Sequence, residues 1–178
     1  MTPEERHQLI DHLTTTQTHL LTLVEPLTPT QWAFHETPIR WSTAQILEHL
    51  TLFEHFIRQA IQTTLSNPPN LTEPTQPKQP LIDSLPTTRR TTPFTARQAT
   101  TPTNRWTLPA DLITHFRQAR AETIAFTAET HANLRDHTFP HIAFGPLDCQ
   151  QWLELLARHT TRHIAQIQEI QTHPAYPR

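Results

Sequence analysis

A single glycine, Gly145, in 178 residues limits what this chain can build. Glycine supplies the positive-φ positions of tight β-hairpins and the close backbone approach of the dinucleotide and phosphate loops. A chain with one glycine cannot use such devices repeatedly. Punctuation falls instead to 17 prolines, which interrupt helices and suit their first turns. Between the prolines the apolar residues recur at helical spacing, which predicts an all-α protein.

Four segments carry that periodicity. Segment one runs from Pro3 to about Glu25, with Leu9, Leu13, Leu20, Leu23 and Val24 on one face and Pro26 ending it. Segment two spans Thr43–Leu65. It opens on Ser42-Thr43-Ala44-Gln45, a capping-box pattern, and its stripe is Ile46, Leu50, Phe53, Ile57, Ala60 and Ile61. Segment three, about Leu108 to Leu134 with Thr107 as cap, has the thinner stripe of Leu112, Phe116, Ala119, Thr123 and Phe126. Arg135–Pro146 reads as a turn-rich link. Segment four, about Cys149 to Thr172, starts from a second capping-box pattern, Asp148-Cys149-Gln150-Gln151.

Residues 66–106 join segments two and three through a Pro/Thr-rich stretch that cannot be one regular helix. Loops of this length inside compact domains are uncommon and usually functional or mobile. Leu81, Ile82, Leu85 and Phe94 predict that part of it packs on the body, and Arg89, Arg90 and Arg97 are either surface charges or cations near a pocket mouth. The whole chain, 1–178, reads as one domain: an antiparallel four-helix bundle with a long crossover between its second and third helices.

Segment four carries the chemical signal. At 100° per residue, Trp152, Leu156, His159, His163, Ile167 and Ile170 fall within an arc of roughly 80°. The spacing His-x-x-x-His alone means little. With 13 histidines, chance supplies roughly one such pair, and a second pair, His137 and His141, is interrupted by Pro140. The informative point is that His159 and His163 share the inward face. On segment two, His49 lies within the apolar arc, whereas His55 and Glu48 point away. A lone histidine on such a face is more often a satisfied core residue than a ligand. If segments two and four are neighbours, His49, His159 and His163 have the form of a bundle metal site, with ligands from facing helices.

Composition excludes other classes. A net charge of −2 with one lysine gives no electrostatic case for nucleic acid or an anionic membrane. No run is long and apolar enough to span a bilayer, and the N-terminus lacks a signal-peptide core. One cysteine, Cys149, rules out an internal disulfide and suits a reducing compartment. A cytoplasmic protein acting on a small molecule is the expectation.

Trp41-Ser42-x-x-x-Ile46-x-x-His49-Leu50 resembles the second-helix motif of the DinB/YfiT-like superfamily. His141-x-x-Phe144-Gly145-Pro146-Leu147-x-x-x-Gln151-Trp152-Leu153, followed by His159-x-x-Arg162-His163-x-x-Gln166-Ile167, resembles its fourth-helix motif. The resemblance spans nearly the whole chain. It implies a four-helix bundle carrying a divalent metal on His49, His159 and His163, and it carries homodimerisation with it. Known activities of relatives include S-transfer with low-molecular-weight thiols such as bacillithiol and mycothiol-dependent isomerisation.

Three neutral histidines leave a divalent ion's charge uncompensated and at least one coordination position open, the ligand count of a catalytic site. With no carboxylate in the stripes of segments two and four, the site reads as cationic. It would deprotonate a thiol or acidify a water for hydrolysis, and imidazole ligands suit Zn, Ni, Fe or Cu. Gln166 on the ligand face, His141 before the Gly-Pro turn and Arg162 beside the stripe are candidates to orient a ligand or meet a substrate. Cys149 at a helix start is a candidate for a lowered pKa but has no evident base. The expected function is that of a metal-dependent enzyme, a thiol S-transferase or hydrolase. The rival is a non-catalytic helical protein with a structural or vestigial metal, acting by dimerisation or ligand binding.

Overall fold

The computed structural model describes residues 1–70, 82–83 and 98–178. Four long helices carry the fold: α1 (Pro3–Val24), α3 (Thr43–Leu65), α4 (Pro109–Glu129) and α5 (Cys149–Gln171). A one-turn helix, α2 (Pro29–Trp32), follows α1. Capping boxes start α1, α2, α3 and α5, pairing Thr2 with Glu5, Thr28 with Gln31, Ser42 with Gln45 and Asp148 with Gln151. Each satisfies two orphan backbone donors and contributes roughly 1 kcal/mol. α4 lacks this device. Its N-cap is Leu108, with no side-chain cap bond, so Thr107 is not the cap and the helix relies on Pro109 in its first turn. α4 also stops at Glu129, short of the expected Leu134, which lies instead in a separate 3₁₀ turn.

The expected four-helix bundle forms, with α1 and α3 each packed against both α4 and α5. Arg6 at the start of α1 bonds carbonyls of Thr127, Ala128 and Thr130 at the end of α4, so that pair is antiparallel. Ile46 and Leu50 of α3 share a core with Ile164, Ile167 and Ile170 of α5, while Ile57 and Ile61 meet Trp152 and Leu156. α3 and α5 are therefore antiparallel too. α3 and α4 run the same way, because Leu112 and Phe116 join the Ile46–Leu50 end and Arg58 reaches Glu122 further along. Joining two parallel neighbours requires a return along the bundle, which accounts for the long connection between them. Of that connection, Ile82 is fully buried; Leu81, Leu85, Phe94, Arg89, Arg90 and Arg97 lie outside the described residues.

The link ahead of α5 is more ordered than its sequence predicts. Thr138–His141 (β1) and Gly145–Asp148 (β2) pair antiparallel, with Phe139 opposite Leu147 and His141 opposite Gly145. Gly145 sits at φ +71°, a conformation other residues resist, directly after the three-residue turn. Four-residue strands are too short to write an alternation into the sequence. Phe139 nevertheless stacks on Trp152 at 4.4 Å and accepts its indole N–H at 3.2 Å, docking the hairpin on α5. No helix among the described residues is long and apolar enough to cross a membrane.

Two apolar clusters fill the bundle, one around Leu13, Ile61 and Leu156, the other around Leu20, Leu47, Phe116 and Ile167. A polar layer also crosses it: Arg120 of α4 donates to Glu54 of α3, to Leu13 O and Thr16 of α1, and to Thr160 of α5. Glu48, expected to point away from the apolar stripe, and Glu54, also outside it, are nevertheless buried, each 1 % exposed. Helical phase marks both as peripheral, but Glu54 receives the buried donors of Arg120 and Thr123, and Glu48 is covered by residues 103–105, whose backbone N–H groups it accepts.

Candidate metal centre

α3 and α5 bring His49, His159 and His163 together, with one ring nitrogen from each within 4.8 Å of the others. The ligand face read from segment four is the face that meets α3. His49 and His163 are buried and His159 partly so. His49 Nε2 and His159 Nε2 stand 3.4 Å apart. Two nitrogens bound to one tetrahedral zinc at ~2.0–2.1 Å would be separated by about 3.3–3.4 Å.

Hydrogen bonds fix the tautomers. His49 Nδ1 lies 2.7 Å from the carbonyl of Thr100. A carbonyl only accepts, so Nδ1 carries the proton and neutral His49 offers its Nε2 lone pair. His163 Nδ1 is 2.9 Å from Gln166 Oε1, which fixes it in the same way. His159 Nδ1 is buried with no hydrogen-bond partner. The polypeptide thus satisfies two imidazoles at Nδ1 and leaves the third incomplete, at a cost of roughly 1–3 kcal/mol for an orphaned buried group. Three convergent ring nitrogens, two of them held with their lone pairs free, fit a divalent cation.

Electrostatics agree. Burial lowers the pKa of His49, opposed in part by its bond to Thr100. Burial lowers that of His159 further, with the neighbouring His163 and His49 next in importance and Arg162 and His141 adding to it. These rings are neutral bases, the form that binds metal. Two aromatic side chains wall the cluster. Trp41 packs on His49 at 4.9 Å and lies parallel to His163 at 6.5 Å, and Phe53 lies 4.2 Å from His159.

A model of the DinB superfamily matches residues 12–167. The chain belongs to the DinB superfamily. YfiT from Bacillus subtilis, described as "a probable metal-dependent hydrolase with an unusual four-helix bundle topology", matches with a TM-score of 0.67 at 16 % identity, covering 99 % of this chain and 91 % of that one. At that identity the likeness establishes the fold. No curated protein shows significant similarity to the sequence.

Within this DinB fold, the other candidates separate. Gln166 is buried and holds His163. His141 sits at the hairpin turn, where its Nδ1 accepts from the backbone N–H groups of Ala143 and Phe144 at 3.1 Å and its ring stacks on Phe144. It is outside the three-nitrogen cluster. Arg162 is half-buried beside His159, and burial lowers its pKa. Cys149 is fully buried, and burial with the adjacent Asp148 pushes its thiol up to about 12, which overrides any lowering at the helix start.

Sequence reading missed the Thr100 carbonyl, a backbone atom on the crossover with no side-chain signature. It also missed Glu48, which faces away from the apolar stripe yet is buried against residues 103–105.

Proposed function

We propose that this protein is a metal-dependent hydrolase of a small molecule, with a divalent ion held by His49, His159 and His163. The observation that carries the reading is the convergence of three ring nitrogens within 4.8 Å, two of them with Nδ1 already committed elsewhere. The description of YfiT as a metal-dependent hydrolase supports the reaction class.

When bound, a divalent ion there supplies Lewis acidity: it acidifies water and polarises a carbonyl. The chain's own residues do the rest. Thr100 O and Gln166 Oε1 keep protons on Nδ1 of His49 and His163, so their Nε2 lone pairs face the cluster. Trp41 and Phe53 exclude solvent from one side and give an apolar wall to a substrate. Arg162, whose charge reaches His159, faces an anionic group of the substrate. His141, on the stacked hairpin turn, lines the same approach.

Thiol S-transfer is the second reading. All three donors are neutral, so the ion's charge would stabilise a thiolate. The thiol would be a low-molecular-weight cosubstrate, since Cys149 is buried and protonated. Homodimerisation and a cytoplasmic setting complete the proposal; light scattering tests the first.

The deciding experiment is metal analysis of protein purified without a His tag, beside His49→Ala and His163→Ala, followed by ester, amide and thiol–electrophile panels. One equivalent of metal in the wild type, lost in both variants, with metal-dependent hydrolysis, is expected. Metal absent from the wild type, or unchanged in both variants, rejects the site. Metal-loaded protein inert in every panel makes it a binding protein rather than an enzyme.

A further inference from the structure

Glu48 and His49 are neighbours on α3, and both grip the same stretch of chain. His49 Nδ1 donates to Thr100 O at 2.7 Å. Glu48 Oε1 accepts from the Thr103 N–H at 2.9 Å and the Thr103 hydroxyl at 3.3 Å, and its Oε2 accepts from the Asn104 N–H at 2.9 Å. Arg105 Nε adds a charged contact to Oε1 at 3.3 Å. One turn earlier on the same face, Gln45 Nε2 donates to Asn104 Oδ1 at 3.3 Å.

The held segment turns sharply: Asn104 has φ +58°, the left-handed region that asparagine tolerates better than most residues with a side chain. Thr100 itself is buried and closes a 3₁₀ turn, Gln98–Thr100. Four residues of backbone connect the carbonyl that orients His49 to the peptide N–H groups that Glu48 holds. The carboxylate is 1 % exposed and has polar partners on both oxygens, so it is a fixed anchor rather than a surface charge.

We propose that Glu48 is a positioning residue for the metal centre: it clamps residues 103–105 so that the Thr100 carbonyl stays on His49 Nδ1 and His49 Nε2 stays directed at the other two histidines. This rests on the three-histidine reading above. The crossover between α3 and α4 is thereby part of the site although it supplies no ligand. Glu48→Gln keeps the shape but replaces one acceptor oxygen with an NH₂, which opposes either the Thr103 or the Asn104 N–H group according to the amide's orientation, so the segment shifts and the Thr100 contact loosens.

The test measures zinc affinity by chelator competition together with the ¹⁵N and ¹H imidazole signals of the metal-free protein. Wild type binds zinc and shows a solvent-protected His49 Nδ1–H. Glu48→Gln weakens zinc roughly ten- to a hundred-fold and loses that protected proton while its far-UV circular dichroism is unchanged. Asn104→Gly, which tolerates the same backbone conformation and keeps its N–H, stays within about three-fold of wild type. If Glu48→Gln does not fold, Arg105→Ala, at an exposed side chain, shows the same two changes in smaller measure. Wild-type zinc affinity and an intact Nδ1–H signal in the variant overturn the proposal. Zinc binding absent from the wild type overturns the metal reading instead, and the Nδ1–H signal still decides whether Glu48 positions His49.

Discussion

Arg120 Nε donates to Glu54 Oε1 at 2.8 Å in the middle of the bundle, where neither side chain is more than 2 % exposed. The guanidinium also reaches Leu13 O and Thr160 Oγ1 at 2.8 Å, and Thr123 Oγ1 donates to Glu54 Oε2 at 2.6 Å. One cation thereby ties α4 to α1, α3 and α5. Removing it strands a buried carboxylate. Arg120→Ala should cost about 3–5 kcal/mol in urea unfolding, a large part of a typical domain's stability. Replacing both charges with apolar residues, Arg120→Met with Glu54→Leu, should recover most of that loss. A double variant no more stable than Arg120→Ala would show that the network contributes more than the desolvation of its two charges.

The same pair shows where sequence reading stops. Periodicity locates α1, α3 and α5 almost to the residue because their stripes are broad and their caps are local patterns such as Ser42–Gln45 and Asp148–Gln151. The three histidines are legible for the same reason: helical phase puts them on the faces that meet. Arg120 and Glu54 are not, because a charged residue becomes a core residue only when its partners on three other helices are in place. Thr100, 51 residues from His49 in the chain, is invisible in the same sense. The hairpin is hidden by its shortness, and its single glycine is the one mark it leaves.

Metal binding should stabilise the fold, because the ligands lie on two different helices and come together only when folded. Zinc at a free concentration one hundred times its dissociation constant contributes about 2.7 kcal/mol, a rise in Tm of roughly 5–10 °C for a domain of this size. His163→Ala should abolish the rise. Gln166→Leu removes the acceptor that holds His163 Nδ1 and should weaken zinc roughly ten- to a hundred-fold with the three ligands intact. Differential scanning calorimetry with and without zinc measures both; an equal rise in wild type and His163→Ala would remove His163 from the ligand set.

Cys149 should be inert. It is 0 % exposed, and its pKa is pushed up to about 12, so the thiolate that alkylating agents attack is scarce at neutral pH. Iodoacetamide should modify it far more slowly in native protein than in urea, and Cys149→Ala should leave metal-dependent turnover unchanged. Rapid native alkylation with loss of activity would make the thiol part of the chemistry.

Glu154 gives the fold a pH dependence of defined sign. Its pKa is raised from 4.5, first by burial, then by Asp148 and Asp83, against the lowering influence of the Gln150 amide and Arg135. Gln150 Nε2 donates to its Oε1 at 3.1 Å, whereas Oε2 is buried without a partner. As pH climbs from 4.5 through the raised folded value, the unfolded chain releases this proton before the native state does. The native state then binds more protons, so this residue's contribution falls with rising pH. Glu154→Gln removes the titration. Its stability relative to wild type should be level below pH 4.5, improve as pH rises through the raised folded value, and level off beyond it. Paired urea titrations from pH 4 to 8 test this; a difference that stays constant across the range, or that shrinks as pH rises, would show that Glu154 ionises as readily in the folded protein as in the unfolded chain.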